Sequence, residues 1–166
     1  MKVLTFSRHY PKGHPKVGTE TNFPEKIMAC LADNIPNWTM KDDFVLYDWY
    51  AYYNCTMLKH HTIRSGSRFK PGDMASLRVW SGVPYRSKQI EFAQVEVKKV
   101  WKIEISEFWF LNGCIMEHDQ VIELAKNDGL AYDDFVSWFN IHPKKKDVFR
   151  GQVISWNSSI EYIKES

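Results

Sequence analysis

A chain of 166 residues is the usual size of one domain, so a single core is expected over residues 1–166. Lys+Arg 22 against Asp+Glu 20 leaves +2, which excludes a histone-like polycation and an acidic tail, while 44% hydrophobic and 25% charged residues exclude a disordered chain. No apolar run approaches the roughly 18–20 residues needed to span a bilayer, so no membrane partner is expected. The opening MKVLTFSRHYPKGHP holds no apolar stretch long enough for a signal peptide. Cys30, Cys55 and Cys114 are odd in number, far apart and without a CxxC pair. Free thiols in a reducing cytoplasm are the expectation, and a cysteine-built zinc site is not.

In chain order, KVLTFS at 2–7 reads as a short strand, followed by a Pro/Gly/His-rich loop to Thr21. A helix is predicted from about Asn22, with Pro24 in its first turn and Ile27, Met28 and Leu31 on one face, ending at Asn34 and Pro36. The stretch 37–56, including FVLYDWYAYYNC, is rich in strand-forming aromatics without clean alternation. Asp73 to Trp80 alternates and reads as a strand opened by the turn Pro71-Gly72. Gln89 to Ile105 is a long strand pattern broken near Lys98-Lys99, and Phe108 to Met116 reads as a hairpin turning at Asn112-Gly113. A helix over about Asp119 to Asn127 follows, with Gly129 as its cap, then a second over about Asp133 to Phe139. After the loop HPKKKD comes a last strand, VFRGQVISW. Hairpins outnumber βαβ units, so the residues point to a small α+β protein on a mostly antiparallel sheet or barrel.

The densest polar run is Lys59 to Arg68 with Lys70 to Asp73 behind it, six of whose residues can carry positive charge. Such a run is either a solvated basic turn or a lip that faces phosphate or a nucleobase. Trp80 and Tyr85 flank a Gly/Pro turn beside Arg78 and Arg86, an arrangement able to stack a base next to a cation, though surface aromatics at turns are also common. Asp128, taken alone, is the acidic residue of a helix-ending Asn-Asp-Gly turn. Trp138 and Phe139, at helical spacing from Phe135, read as core, and Asp133 and Asp134 as helix-capping residues. His9, His14, His60, His61 and His118 show no HxxxH or HxH spacing, so no metal site is expected. Nor is there a Walker A loop, a GxGxxG fingerprint or a GxSxG elbow, and no cofactor is expected.

Four short motifs in order resemble the ASCH domain, a relative of the PUA RNA-binding fold. They are Leu4-Thr5-Phe6 with Arg8; Lys59-x-x-Thr62-x-Arg64 with Gly72-Asp73 beyond it; Ala125-x-x-Asp128-Gly129; and Phe149-Arg150-Gly151-Gln152-Val153-Ile154. The resemblance covers most of the chain outside about 34–56. In the family pattern Gly-x-Lys-x-x-x-x-Arg, Lys59 and Arg64 fit, while Met57 stands at the glycine. The resemblance implies a PUA-like small mixed or antiparallel β-barrel with about three short helices and an aromatic-rich insertion at 37–56. It also implies a nucleoside, nucleotide or single-stranded RNA as partner.

Small bacterial ASCH amidohydrolases use a Lys, a Thr three residues later and a downstream Glu. By motif these fall on Lys59, Thr62 and Asp128, the acid being one methylene shorter here. The implied roles are Lys59 as base, Thr62 as nucleophile, Asp128 as orienting acid and Arg64 as anion stabiliser. Arg68, His61, Trp80 and Arg78 complete the expected substrate- or anion-binding set. A free lysine has a pKa of about 10.4, so neutralising it at pH 7 costs roughly 4.6 kcal/mol. Burial beside Arg64 and His60/His61 lowers that cost, and an ionised Asp128 raises it. The expected function is deacylation of an N4-acetylcytidine-type nucleoside; a non-catalytic RNA-binding module is the alternative, and ribonuclease action a more distant one. The near-balanced charge favours a small ligand over a long RNA.

Overall fold

In a computed structural model, residues 1–34, 39–40, 52–54, 57–139 and 148–162 are described. Of the 37–56 stretch only 39–40 and 52–54 fall within them, and the Lys144–Lys146 loop lies outside.

The first strand, β1 (Lys2–Phe6), buries Leu4 and Phe6, as its alternation dictates. α1 (Phe23–Asn34) starts where Asn22 takes φ 56° and the Thr21 hydroxyl accepts the Phe23 N–H at 3.2 Å. Pro24 sits in the first turn, where a missing N–H costs nothing, and Ile27, Met28, Cys30 and Leu31 face the core. The remaining strands are β2 (Thr39–Met40), β3 (His61–Ser65), β4 (Met74–Trp80), β5 (Gln89–Glu96), β6 (Lys99–Ile105), β7 (Trp109–Leu111), β8 (Cys114–Ile115) and β9 (Phe149–Ser155). Two helices, α2 (His118–Asn127) and α3 (Tyr132–Phe139), stand between β8 and β9.

The predicted break near Lys98-Lys99 is where the chain changes sheet. The Val97 N–H goes to Asp73 O beside β4, and the next N–H, of Lys98, goes to Ser155 O at the end of β9, both at 2.8 Å. The predicted hairpin turns at Asn112 (φ 49°) and Gly113 (φ 81°), the pair of left-handed residues that a two-residue hairpin turn needs.

The fold is α+β, with three helices and two mostly antiparallel sheets among the described residues. One sheet has the order β1-β4-β5-β2, with β1 parallel to β4; the other is β3-β9-β6-β7-β8, antiparallel throughout. Phe6 of the first sheet meets Phe92 edge-on at 6.1 Å and Trp156, just past β9, at 6.3 Å, so one core joins both sheets. α3 sets Phe135 and Phe139 against Trp109 at 5.2 and 5.8 Å and turns Trp138 towards Tyr10 and Phe23. Trp138 and Phe139 are thus packing residues, as their spacing suggests.

Gly151 of β9 has no room for a side chain. A Cβ there would lie 2.2 Å from the Arg64 carbonyl oxygen, so β3 and β9 approach as closely as they do only because this residue has no side chain. Gly151→Ala is expected to cost about 1–3 kcal/mol or more through overpacking, read as a lower midpoint in urea unfolding.

Candidate functional site

Lys59 precedes β3, and its backbone is held on both sides. Its N–H donates to Lys26 O of α1 at 3.2 Å, and its carbonyl accepts the Trp156 indole N–H at 3.1 Å. It forms an isolated antiparallel bridge with Asp128, next to the His60 N–H bond to Asn127 O at 2.7 Å. The side chain is 2% exposed, and its Nζ donates to the Asp128 carbonyl at 2.8 Å and stands 3.2 Å from Asp128 Oδ1. One valence of the amine remains that Asp128 does not take. The Phe23 ring centroid lies 4.3 Å from Nζ.

Asp128 reaches Lys59 because of how α2 ends. The Leu130 N–H returns to Ala125 O and the Gly129 N–H to Lys126 O, both at 3.0 Å, the two bonds of a Schellman ending. Gly129 supplies the left-handed residue, φ 82°, and a Cβ there would sit 3.1 Å from Lys59 Cβ. The sequence predicts Gly129 as a cap; its second role, leaving room for Lys59, is visible only in three dimensions.

A buried relay backs the carboxylate. His61, fully buried, places Nδ1 3.1 Å from Asp128 Oδ1 and Nε2 against the Tyr162 hydroxyl, which also accepts Asn127 Nδ2–H at 2.9 Å. Burial, partly opposed by Asp128, pushes the His61 pKa down, so the ring is neutral. A neutral ring facing a carboxylate carries its proton on Nδ1, which leaves Nε2 to accept the Tyr162 O–H. Burial pushes the Tyr162 pKa up, keeping that hydroxyl a donor.

Burial likewise decides the state of Lys59. Desolvation outweighs the Coulombic pull of Asp128 and its hydrogen bond, Arg64 and Lys26 add repulsion, and the pKa is pushed down to about 8. The conflict between a depressed lysine and a neighbouring carboxylate is thus resolved in favour of burial. Arg64, lowered by its own burial to about 10, remains a cation at neutral pH.

Lys59, Thr62, Arg64 and Asp128 line one cavity of about 370 Å³, walled on its apolar side by Phe6, Phe23 and residues of α3. Arg64 Nε donates to Thr62 Oγ1 at 3.3 Å, and its guanidinium carbon lies 4.9 Å from the Phe6 ring centroid. His61 is behind Asp128, outside the cavity lining. Trp80 lines a neighbouring cavity. Arg78 bonds Ser76 Oγ at 2.9 Å and Gln89 Oε1 at 3.4 Å on the β4–β5 face, and Arg68, over the Phe69 ring at 5.4 Å, belongs to the β3–β4 turn; neither lines these two cavities. Tyr162, Asn127 and Phe23 carry no sequence signal for the site. Among the described residues no group of three or more His, Cys, Asp or Glu side chains is placed to hold a metal, and no helix is long and apolar enough to cross a membrane.

The chain matches no family model, no curated protein and no solved structure.

Asp128→Asn removes the charge that raises the Lys59 pKa, so Lys59 is expected to titrate below about 8 in that variant, read by NMR of ε-labelled lysine. The pH dependence of stability follows the same sign. Folded Lys59 gives up its proton near pH 8 and an unfolded lysine near 10.5, so the unfolded chain binds more protons in that window. Wild-type stability is therefore expected to rise from pH 8 to 10 relative to Lys59→Met, measured by urea midpoints of both proteins across that range.

Proposed function

We propose that this chain is an ASCH-type amidohydrolase on a PUA-like fold, removing a small acyl group from the exocyclic amine of a nucleoside of the N4-acetylcytidine kind. The observation that carries the reading is a buried lysine with its pKa near 8, opening on the cavity that also holds Thr62 and Arg64. Raising a pKa-8 amine to its neutral form at pH 7 costs about 1.4 kcal/mol, against nearly 5 for a lysine in water. The α+β architecture, with the first and last strands of the resemblance at β1 and β9 and helix ends at the cavity, supports the PUA-like assignment.

In this reading neutral Lys59 takes the Thr62 hydroxyl proton as Oγ1 attacks the acyl carbon. Arg64, whose Nε–H reaches the Thr62 oxygen and so stands beside the reacting carbon, is the cation that faces the oxyanion. The tetrahedral intermediate collapses, the C–N bond breaks, and the departing amine takes its proton from Lys59. Water, deprotonated by Lys59, then adds to the Thr62 ester; the C–O bond breaks, Thr62 Oγ1 regains its proton from Lys59, and the acid leaves. Asp128, held by His61, fixes the lysine through two acceptors and leaves its remaining valence for the reaction.

Acetate release from N4-acetylcytidine, followed by mass spectrometry, tests this. Lys59→Met and the shape-conserving Thr62→Val are expected to lose about a hundredfold or more of kcat, the scale of general-base catalysis. Wild-type kcat/KM is expected to climb with pH and level off above about 8, the limb being that of Lys59. Unchanged turnover in a folded Lys59→Met protein would sink the proposal. If neither protein turns over, RNA affinity that falls steeply with salt and drops in Arg64→Ala puts the binding-module reading first.

A further inference from the structure

A second cavity, of about 700 Å³, lies beside the first. Its walls come from the chain after β1, the start of α1 and the β4–β5 loop, and Phe6 and Ser7 line both cavities. The two differ in chemistry. The smaller carries Lys59, Thr62 and the Arg64 guanidinium; the larger is walled mainly by Phe6, Tyr10, Trp80, Val83 and loop prolines, with polar residues such as Asn22 and Glu20 in the same lining.

The β4–β5 loop is pre-shaped. Ser81 N–H bonds Lys88 O at 2.8 Å, Gly82 N–H bonds Ser87 Oγ at 3.0 Å, and the Ser87 hydroxyl bonds Val83 O at 2.8 Å. Inside that frame Tyr85 holds φ 63° and is 89% exposed, with its ring 5.2 Å from Trp80. Backbone strain and an aromatic pair, Tyr85 exposed and Trp80 half-buried, are kept at the lip of a cavity next to the reactive groups. Asn22 and Glu20 also line the cavity, the amide able to donate and accept hydrogen bonds and the carboxyl group to accept them.

We propose that this cavity receives the planar nitrogen heterocycle released by amide cleavage. Trp80 is its stacking face, and Asn22 and Glu20 meet its edge, which both accepts and donates as an aminopyrimidine edge does. The placement follows from the shared Phe6–Ser7 wall, because a carbonyl beside Thr62 must have its leaving group within one bond. The assignment rests on the hydrolase reading for which group lies where, yet heterocycle binding is measured without turnover.

The test is calorimetric titration of cytidine into wild type, Trp80→Ala and Trp80→Phe. Cytidine is expected to bind wild type, and to bind Trp80→Ala about ten- to a hundredfold more weakly, the worth of one stacked base. Trp80→Phe, which keeps a stacking face, is expected to restore most of the affinity, which a general packing defect in Trp80→Ala would not explain. Cytidine affinity unchanged in Trp80→Ala, or no binding to wild type, overturns the inference. The hydrolase reading fails separately, if cytidine binds through Trp80 while N4-acetylcytidine is not cleaved; the inference fails separately, if cleavage proceeds with KM unchanged in Trp80→Ala.

Discussion

Everything at the site depends on keeping a lysine amine out of water beside a carboxylate. Removing a charged group from solvent costs several kcal/mol, and a single partner rarely offsets it. Lys59 meets that cost in two ways. It takes two acceptors from one residue, the Asp128 carbonyl and Oδ1, and it gives up part of its basicity, down to about 8. The second is the chemically useful one, because it leaves a measurable fraction of free amine at neutral pH without any change of fold.

The surrounding structure is organised to hold that contact in place. α2 ends in a Schellman turn at Gly129, which delivers Asp128 and leaves space for Lys59. α1 supplies a carbonyl to the Lys59 N–H and the Phe23 ring to its ammonium, and Trp156 caps its carbonyl. Behind Asp128, the His61–Tyr162–Asn127 relay satisfies polar groups that would otherwise be buried without partners. Elements from both ends of the chain are therefore joined at one point, and loosening any of them frees the lysine to be rehydrated.

β1 links this centre to the rest of the surface. Its last residue, Phe6, packs against Phe92 and Trp156 in the core, lies under the Arg64 guanidinium, and forms a wall of both cavities. One aromatic ring thus couples the joining of the two sheets to the geometry of the reactive groups. Gly151 has the same double character at β9: by admitting the Arg64 carbonyl it sets the backbone from which Arg64 projects.

Local chemistry determined the elements. Proline in a first turn, the Asn112-Gly113 pair, Gly129 after a helical stripe and alternation in β4 act over a few residues, so they are legible without a partner. The same short range explains why Lys59, Thr62 and Arg64 stand out together, whereas Arg68 and Arg78, near them in sequence, are led away by the turn at Gly66 and by bonding on the β4–β5 face. Long-range contacts left no such trace in the spacing of residues, and only the resemblance of short motifs put Asp128 in one set with Lys59. Lys59 meets Asp128 across 69 positions and His61 meets Tyr162 across 101, while β1 pairs in parallel with β4, and the chain divides between two sheets at Val97-Lys98. The sequence by itself determined which elements form and which residues can do acid–base chemistry. Only the tertiary structure decided which of those residues share a cavity and that Lys59 is poised near neutrality, because desolvation depends on every atom packed around a group and not on its neighbours along the chain.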